Sequence, residues 1–397
     1  MPWFVPRPQL DDVEQIPFLD QTEENPDKNF WLKGFAGSGK SVLLIHCLID
    51  EKNRNPTSKV IIVLYTHSLI DMIKEGIPDE LGEIPVVTFQ QFRFMQQRYD
   101  LILIDEIQDI DAQTLTNFRE KLGGNGRLIV AGDMNQSIYD NAPSSDEISE
   151  ILGLPAFGTE GIEYRLNRIY RISRRIRDIS APFCEDQDAY KAAQVMEYNA
   201  NISPNIVHAD NPQQEIEWLW MSAKEYAQAE YVPVILIANH KSIRSFLNKI
   251  LVLEDKPVLH PNFDYNQINS HFRNNHLNIQ YLGNQYGSFE AAHDRNLISV
   301  MTYHSAKGLD FKTVFIPFLN SDYIIWKNPV IRARNLFFVA LTRSREQLHI
   351  SFSGDNPHPF VTPQFISQCQ WKEASDEIER MENPFNGDVL DEDFVVF

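Results

Sequence analysis

Residues 34–41, with the sequence GFAGSGKS, constrain the fold of this chain more than any other segment. They fit the phosphate-binding pattern G-x-x-x-x-G-K-[ST] at every fixed position. Residues 30–33 have strand composition, and residues 41–50 are apolar at helical spacing. The pattern therefore predicts a strand, a nucleotide-binding loop and a helix in succession, with a chance glycine-rich turn as the alternative for the isolated string.

Each residue type in this loop suits contact with a nucleotide. Glycine residues let backbone amides close around phosphate oxygens at the N-terminus of the following helix. Lys40 supplies a cation for the outer phosphates, and the Ser41 hydroxyl can hold Mg²⁺. The residues predicted to bind the nucleotide here are Gly34, Ala36, Gly37, Ser38, Gly39, Lys40 and Ser41.

A second motif, LILIDEIQD at residues 101–109, supplies the acids that nucleotide hydrolysis needs. Its four leading apolar residues predict a buried parallel strand, so the acids follow at the carboxyl edge of the sheet. Asp105 can hold the Mg²⁺ that bridges the outer phosphates, and Glu106 can orient and deprotonate the attacking water. A solvated acidic turn after a core strand is the alternative, and the Asp-Glu pair alone does not decide between them.

Composition limits the class of protein. A chain of 397 residues with 43% hydrophobic content can bury substantial cores, and its length favours two or three domains. No apolar run approaches membrane-spanning length and no signal peptide is recognisable, so a cytoplasmic protein without a membrane partner is expected. The cysteines at positions 47, 184 and 369 are odd in number and far apart, which favours neither a disulfide framework nor a zinc site.

Net charge of −19 argues against a protein that coats nucleic acid with its whole surface. A local basic channel remains compatible with this charge. Arginine residues concentrate at 165–177 and 332–345, whereas acids crowd residues 373–393. A solvated helix face is the ordinary interpretation of an arginine run.

Apolar strand candidates alternate with helical or loop segments, which predicts two α/β units. The strand candidates are residues 60–65, 101–104 and 127–131 in the first unit and 232–237, 297–301, 313–316 and 347–350 in the second. The predicted domains are residues 1–161, with a small insertion at about 67–98, residues 162–353, with an insertion at about 255–293, and an acidic C-terminal segment at 354–397.

Four further motifs follow in order along the chain. They are GDMNQSIY at residues 132–139, L-x-x-x-Y-R-x-S at 166–173, VMTYHSAKGLDF at 300–311 and LFFVALTRSR at 336–345. Occurring together and in this order, the motifs resemble those of the superfamily 1 helicases of the UvrD/Rep type. The resemblance extends from about Gln15 to about Ile350. The resemblance implies two RecA-like P-loop NTPase domains, each a mostly parallel sheet flanked by helices, with ATP and Mg²⁺ bound between them.

The resemblance also implies roles for residues around the nucleotide. Gln15 is similar to the glutamine that reads adenine, and Tyr170 to the aromatic residue that stacks on it, although a surface amide and a core aromatic are the alternatives. Arg171 and Arg343 correspond to arginines that reach the γ-phosphate from the second domain. Gln136 is similar to the residue that senses the γ-phosphate.

Three more residues take roles from the same resemblance. Gln108 is similar to a coupling residue beside the catalytic acids. Gly308 and Asp310 belong to the nucleotide-binding set, and Asp310 stands where the family usually has a glutamate that contacts the ribose. The shorter carboxylate of Asp310 would weaken or alter that contact.

Residues predicted to contact a nucleic-acid strand lie in segments similar to the family's strand-contacting motifs, where hydroxyls meet phosphates and aromatics meet bases. They are Thr66, His67, Thr88, Phe89, Thr302 and His304. For residues 86–89 a buried strand is an equal alternative.

Two departures from the family pattern bear on its activity. Family members that translocate carry Trp-Arg-Gly shortly after the QSIY sequence, and that Trp stacks on a base, whereas here Tyr139 is followed by Asp-Asn-Ala at 140–142. The second departure is size, because only about forty residues separate Thr66 from Asp105. Large accessory domains are therefore expected to be absent or rudimentary.

The sequence thus predicts an ATP-dependent motor ATPase stimulated by single-stranded nucleic acid, a DNA helicase or translocase of the UvrD/Rep type. Single-stranded DNA is the favoured ligand, with RNA left open. The alternative is a nucleic-acid-gated ATPase switch that controls a partner such as a nuclease in a defence or repair complex. A P-loop kinase or GTPase is disfavoured, because neither class explains the four later motifs together.

Overall fold

The computed structural model describes residues 4–65, 68–139, 142–196, 203–283, 286–287, 292, 294–327 and 329–383. The chain forms two compact units, each built around a parallel sheet flanked by helices. The first unit contains Met1–Ala200 and Asn328–Thr342, and the second contains Asn201–Lys327 and Arg343–Phe397. The predicted α/β class with two units is confirmed.

The first unit contains a six-stranded, all-parallel sheet in the order β3-β2-β4-β5-β1-β6. Its strands are β1 (Asn29–Gly34), β2 (Val60–Leu64), β3 (Val86–Thr88), β4 (Tyr99–Ile104), β5 (Leu122–Gly132) and β6 (Gly161–Leu166). The predicted strands at 30–33, 60–65, 101–104 and 127–131 are all present. Their apolar runs are continuous because helices cover the sheet and both faces of its strands are buried.

Helices of the first unit pack on this sheet and include one segment from later in the chain. They are α1 (Gln15–Glu24), α2 (Lys40–Arg54), α3 (Ser68–Glu75), α4 (Phe89–Phe94), α5 (Ala112–Arg119), α6 (Ser145–Leu152), α7 (Arg174–Ser180), α8 (Gln187–Ala192) and α12 (Val330–Leu341). A short two-stranded parallel sheet joins β7 (Arg168–Ile169) to β8 (Gln194–Val195).

The predicted domain boundary at residues 161–162 is wrong. Strand β6 pairs with β1 in parallel register from Asn29 opposite Gly161 to Gly34 opposite Leu166. Because this pairing makes β6 an edge strand of the first sheet, the first unit continues to Ala200. The sequence of β6, GIEYRL, alternates between apolar and polar residues and lacks the continuous apolar run that identified the other strands.

The second unit contains a seven-stranded, all-parallel sheet in the order β11-β12-β10-β13-β14-β9-β15. Its strands are β9 (Asn205–Ala209), β10 (Val234–Ile237), β11 (Ile279–Tyr281), β12 (Ile298–Thr302), β13 (Phe311–Ile316), β14 (Ser344–Ser353) and β15 (Gln370–Glu373). Its helices are α9 (Pro212–Gln228), α10 (His240–Leu253), α11 (Tyr265–Asn274), α13 (Pro363–Ile366) and α14 (Ala374–Glu382). The four strands predicted for this unit are present.

Three segments predicted to lie outside the domain cores contribute to the sheets. The segment at 67–98 supplies β3, which pairs with β2, and the segment at 255–293 supplies β11, which pairs with β12. From the segment at 354–397, β15 pairs with β9, and α14 packs on α9. The described part of this last segment is therefore folded into the second unit. Within the described residues no helix has the length and apolar character needed to cross a bilayer.

A buried carboxyl group, Glu215 on α9, connects two parts of the second unit. One of its oxygen atoms accepts hydrogen bonds from the Ser351 hydroxyl at 2.6 Å and from the Phe318 amide at 2.8 Å. Burial raises the pKa of Glu215, and these hydrogen bonds oppose the rise only in part. The folded state therefore binds the Glu215 proton more tightly than the unfolded state does.

This raised pKa predicts a pH-dependent cost to stability. Between the unfolded-state pKa of about 4.3 and the higher folded-state value, the folded protein holds more protons, so stability falls as pH rises through that window. Glu215→Gln removes the ionisation and keeps an acceptor oxygen. We expect the melting temperature of Glu215→Gln minus that of the wild type to increase as pH rises from about 4 to neutrality.

Thermal denaturation at closely spaced pH values measures this difference, and other titrating groups cancel in it. Glu217→Gln, on the same helix but partly exposed, controls for removing a charge from α9. A difference that stays constant or shrinks as pH rises would contradict the prediction.

Candidate nucleotide site and strand-contacting motifs

The phosphate-binding loop connects β1 to α2, as the sequence predicts. Gly37 and Gly39 adopt left-handed φ values of 80° and 88°, and Gly39 is the residue that precedes α2. The Lys40 ammonium group donates hydrogen bonds to the carbonyl oxygens of Gly34, at 2.8 Å, and Phe35, at 3.1 Å. This geometry holds the lysine charge inside the loop, where a bound phosphate would compete for its protons.

Ser41 and Asp105 form a direct pair at the ends of neighbouring elements. The Ser41 hydroxyl donates to Asp105 Oδ2 at 2.5 Å, and Asp105, immediately after β4, is only 4% exposed. Burial, together with the nearby charge of Glu106, raises the pKa of Asp105 to about 6. A hydroxyl and a carboxylate suit Mg²⁺, which takes few protein ligands and completes its shell with water and substrate phosphates.

This pair accounts for the metal ligands that the sequence predicts. Among the described residues no cluster of three or more His, Cys, Asp or Glu side chains could hold a metal by itself. A dedicated protein cage is therefore not seen in that part of the chain. The residues present fit a Mg²⁺ ion that arrives with nucleotide phosphates.

Glu106, the predicted general base, has a constrained backbone conformation. Its φ of 54° lies in the left-handed region, which is uncommon for a residue other than glycine. Its amide donates to Asp105 Oδ1 at 2.9 Å, and its carboxylate accepts a hydrogen bond from the Gln108 side-chain amide. Such backbone strain concentrates at functional sites.

A buried chain of hydrogen bonds extends from Glu106 to Gln136. Gln108 donates to Glu106 and accepts from the Asp133 amide at 3.1 Å. The Gln136 amide nitrogen donates to Asp133 Oδ2 at 3.0 Å. We call Glu106, Gln108, Asp133 and Gln136 the acid–sensor chain, because it links the predicted general base to the predicted γ-phosphate sensor. The predicted coupling role of Gln108 stays a prediction.

Gln15 and Tyr170 lie against the phosphate-binding loop. The Gln15 side chain is 6% exposed and donates to the Ser38 carbonyl oxygen at 3.3 Å, so Gln15 is not a surface amide. The Tyr170 amide donates to the Gly37 carbonyl oxygen at 2.9 Å, and its hydroxyl donates to Asp11 at 2.7 Å. Both residues lie beside the loop, and their predicted adenine contacts stay predictions.

Asp11 organises this side of the loop, and sequence reasoning did not find it. Its carboxylate also pairs with Arg168 at 2.6 Å. Burial alone would raise the pKa of Asp11, but the Tyr170 hydrogen bond and the Arg168 charge outweigh burial and lower it. Asp11 belongs to none of the sequence motifs, so only the folded structure reveals its position.

Arg171 belongs to the first unit, which corrects the prediction that it reaches the nucleotide from the second domain. A Cβ atom built on Gly37 would lie 2.6 Å from Arg171 Cβ, so this arginine covers the loop directly. The correction follows from β6, which carries the chain leading to Arg171 along the first sheet.

The second unit positions its own motif residues at strand ends. Thr302, the last residue of β12, accepts a hydrogen bond from the Ser305 amide at 3.0 Å, and the His304 ring lies 5.2 Å from that of Trp326. Asp310 pairs with Arg345, whose Nε lies 2.6 Å from Asp310 Oδ1.

Gly308 and Arg343 complete the predicted set in this unit. Gly308 has a left-handed φ of 79°. Arg343 is 1% exposed and donates to the Leu309 carbonyl oxygen at 3.0 Å. The predicted nucleotide role of Arg343 stays a prediction.

In the first unit, the residues predicted to contact nucleic acid lie near a cluster of aromatic side chains that the sequence did not reveal. Thr88 forms the N-cap of α4 through the Gln91 amide. Phe89 stacks on Tyr65 at 5.0 Å with an interplanar angle of 13°, and Tyr139 lies 4.9 Å from Tyr65. Tyr65 and Phe89 follow the carboxyl ends of β2 and β3. Thr66 and His67 lie outside the described residues.

Comparisons with known proteins agree with these motifs. Residues 86–142 match the UvrD/REP helicase N-terminal domain, and residues 260–355 match the UvrD-like helicase C-terminal domain. A probable DNA helicase II homolog from Mycoplasma pneumoniae is 36% identical over 85 residues. That match covers 18% of this chain and 12% of the relative's length.

Solved structures support the fold alone, because sequence identity to them is low. Yeast (S. cerevisiae) Dbp5 bound to RNA and ADP BeF3 has a TM-score of 0.55 and 12% identity, over 94% of this chain and 93% of that one. A point variant of the same protein has a TM-score of 0.53 and 12% identity, over 93% and 91%. These likenesses support an α/β fold with two domains. The two domain matches and the motifs support a UvrD/Rep-like superfamily 1 helicase.

Two glycines of β5 give a matched test of the packing behind the acid–sensor chain. A Cβ atom on Gly132 would lie 2.3 Å from Gln108 Oε1 and 2.7 Å from Ile107 Cγ2, whereas one on Gly124 meets nothing within 4 Å. We expect Gly132→Ala to lower the free energy of unfolding by about 1–3 kcal/mol, the usual cost of overpacking. Gly124→Ala should leave it nearly unchanged. Denaturant unfolding of both variants measures the contrast, and equal stabilities would show that Gln108 is not held as described.

Proposed function

We propose that this chain is an ATP-dependent motor ATPase stimulated by single-stranded nucleic acid, a DNA helicase or translocase of the UvrD/Rep type. The observation that carries the proposal is the acid–sensor chain beside the Ser41–Asp105 pair. Side chains predicted from two sequence motifs, Asp105, Glu106 and Gln108 from one and Gln136 from the other, belong to one buried, hydrogen-bonded network. A network of this kind can hold a general base and report on the γ-phosphate at the same time.

The hydrolytic step follows from the residues of the first unit. Lys40, released from the loop carbonyl groups, neutralises the outer phosphates of ATP, and Ser41 and Asp105 hold Mg²⁺. When bound, Mg²⁺ neutralises charge on the β- and γ-phosphate oxygens. Glu106 accepts a proton from the attacking water, and Gln108 keeps its carboxylate oriented through the hydrogen bond described above.

Recognition of the rest of ATP uses side chains beside the loop. Gln15 reads the adenine edge, and the Tyr170 ring, fixed at its hydroxyl by Asp11, stacks on the base. Arg171 reaches the γ-phosphate, where a guanidinium fork suits developing charge on three oxygens. Arg343 serves as a second arginine for the same phosphate, with Gly308 and Asp310 as further nucleotide contacts.

The nucleic-acid contacts combine aromatic and hydroxyl groups at the carboxyl edges of the sheets. In the first unit, the half-buried rings of Tyr65, Phe89 and Tyr139 form the aromatic group beside Thr88. Stacking of one base on such a ring contributes about 1–3 kcal/mol, which compensates in part for the Trp missing after Tyr139. Thr66, His67, Thr302 and His304 supply the remaining contacts. We infer a cytoplasmic protein with single-stranded DNA as its main ligand.

Steady-state ATP hydrolysis tests this function directly. The purified chain is assayed alone and with single-stranded DNA, duplex DNA or RNA of equal length, each at two salt concentrations. We expect single-stranded DNA to stimulate hydrolysis most, with strong salt sensitivity, because a local basic channel must act against the net charge of −19. Hydrolysis that responds to no nucleic acid would refute the motor.

The alternative function, an ATPase switch for a partner such as a nuclease in a defence or repair complex, rests on one sequence observation. Residues 140–142 read Asp-Asn-Ala where translocating relatives carry Trp-Arg-Gly. Opening DNA costs stacking energy of about 1.4 kcal/mol per base-pair step, so weak grip on one strand would limit unwinding. We therefore expect poor displacement of long tailed duplexes despite stimulated hydrolysis. A strand-displacement assay beside the ATPase assay decides, since robust unwinding would refute the switch.

Two substitutions separate nucleotide binding from hydrolysis. Lys40→Ala should lose ATP binding, because it removes the cation from the loop. Glu106→Gln should keep ATP binding and lose most hydrolysis, because the amide cannot accept the proton of water at neutral pH. Binding of a fluorescent ATP analogue and release of phosphate measure the two properties. Wild-type hydrolysis by Glu106→Gln would show that another residue is the base.

A further inference from the structure

Helix α12 contacts the segment that carries the γ-phosphate sensor. The Asn335 side-chain amide donates to the Ser137 carbonyl oxygen at 2.7 Å, and Asn335 is 6% exposed. Ser137 directly follows Gln136, the last member of the acid–sensor chain. The Ser137 hydroxyl also lies 3.5 Å from the Gln108 carbonyl oxygen. One directional hydrogen bond therefore joins α12 to the sensor segment.

The same helix is connected to the phosphate-binding loop through aromatic side chains. Phe35 of the loop lies 5.0 Å from the ring of Tyr190 at 64°, and Tyr190 lies 5.3 Å from Phe338 of α12 at 72°. All three rings are buried. Edge-to-face packing of this kind resists displacement of one ring without its neighbours. Helix α12 is thus in contact with groups from both sides of the nucleotide site.

The C-terminal end of α12 leads directly to Arg343. The Thr342 hydroxyl bonds to the carbonyl oxygens of Phe338 and Val339 at 3.0 and 3.1 Å, which closes the last turn. The next residue is Arg343, and the chain enters the second unit at this point. A displacement of α12 would therefore be passed through the backbone to Arg343 and β14.

We propose that Asn335 is a positioning residue, through which the sensor segment sets the position of α12 and hence of Arg343. The inference rests on the proposed ATPase function. Other contacts also hold α12, including the Phe337 ring against Phe183 and the Arg334 guanidinium on the Pro182 carbonyl oxygen. The Asn335 bond differs from these because it is directional and reaches the segment that carries Gln136. Loss of the bond should uncouple Gln136 from Arg343 while leaving the nucleotide pocket itself intact.

The test uses the full chain with Asn335→Leu, which keeps the side-chain size and removes the donor. We expect kcat for DNA-stimulated ATP hydrolysis to fall about 2- to 30-fold, the range for coupling residues, with KM for ATP unchanged. Asn335→Asp, which also lacks the donor at neutral pH, is the second variant if the first folds poorly. An unchanged kcat in a folded variant would overturn the proposal.

Asn269→Leu is the matched control for lost stability. Asn269 is 7% exposed and donates to the Tyr281 carbonyl oxygen at 2.8 Å, a bond of the same kind in the second unit. Because Asn269 also accepts a hydrogen bond from the Tyr281 amide at 2.7 Å, we expect its melting temperature to fall at least as much as that of Asn335→Leu while kcat stays near the wild-type value. A similar loss of kcat in both variants would show that Asn335 acts through stability alone.

A double-mutant cycle with Arg343→Ala identifies the route. If Asn335 acts through Arg343, the double variant should have the kcat of Arg343→Ala alone, because one change already removes the effect of the other. Multiplied losses, or an Arg343→Ala variant with wild-type kcat, would overturn the route. These outcomes differ from failure of the proposed function, in which the wild-type chain itself shows no DNA-stimulated hydrolysis.

Discussion

Parallel pairing of β4, β5 and β1 is the constraint on which the nucleotide site depends. Lys33 pairs with Gly132, and Ile104 pairs with Val130, so the three strands end at nearly the same level. Each strand is followed at once by a functional segment: the phosphate-binding loop, the paired acids and the sensor motif. Backbone hydrogen bonds of the sheet therefore bring together three segments that are spread over about a hundred residues of sequence. Hydrogen bonds between side chains then fix the positions of individual groups within these segments.

The parts of the fold that sequence predicts well are those with two buried faces. Residues 101–104 of β4 form an uninterrupted apolar run because all four are buried, and the glycine pattern of the phosphate-binding loop is highly specific. Edge strand β6 alternates instead, so the boundary of the first unit was placed too early and Arg171 was assigned to the wrong unit. Asp11 and Tyr65 carried no motif, since their importance comes only from neighbours distant in sequence. Such contacts depend on the tertiary fold and leave no local pattern.

The structural support differs between the proposed ATP hydrolysis and the proposed binding of a nucleic-acid strand. The residues from Asp105 to Gln136 form a buried, hydrogen-bonded network, as the proposed hydrolysis requires. In the proposed nucleic-acid contacts, a few aromatic rings and residues at strand ends hold the nucleic acid, without the additional tryptophan of translocating relatives. The described part of the roughly forty residues between Thr66 and Asp105 consists of α3, β3, α4 and β4 with short connections. The proposed ATP hydrolysis therefore has more structural support than the proposed movement along a nucleic-acid strand.

The left-handed backbone at Glu106 has a consequence for how this protein can change. At that position glycine would relieve the conformational strain, and so would asparagine to a lesser extent, since these residues tolerate positive φ. Either replacement removes the carboxylate. Selection for thermostability alone will therefore favour residues that lack the carboxylate of the proposed base. Residue 106 must be kept as glutamate during such selection. The left-handed backbone favours glycine or asparagine, whereas the proposed proton transfer needs a carboxylate.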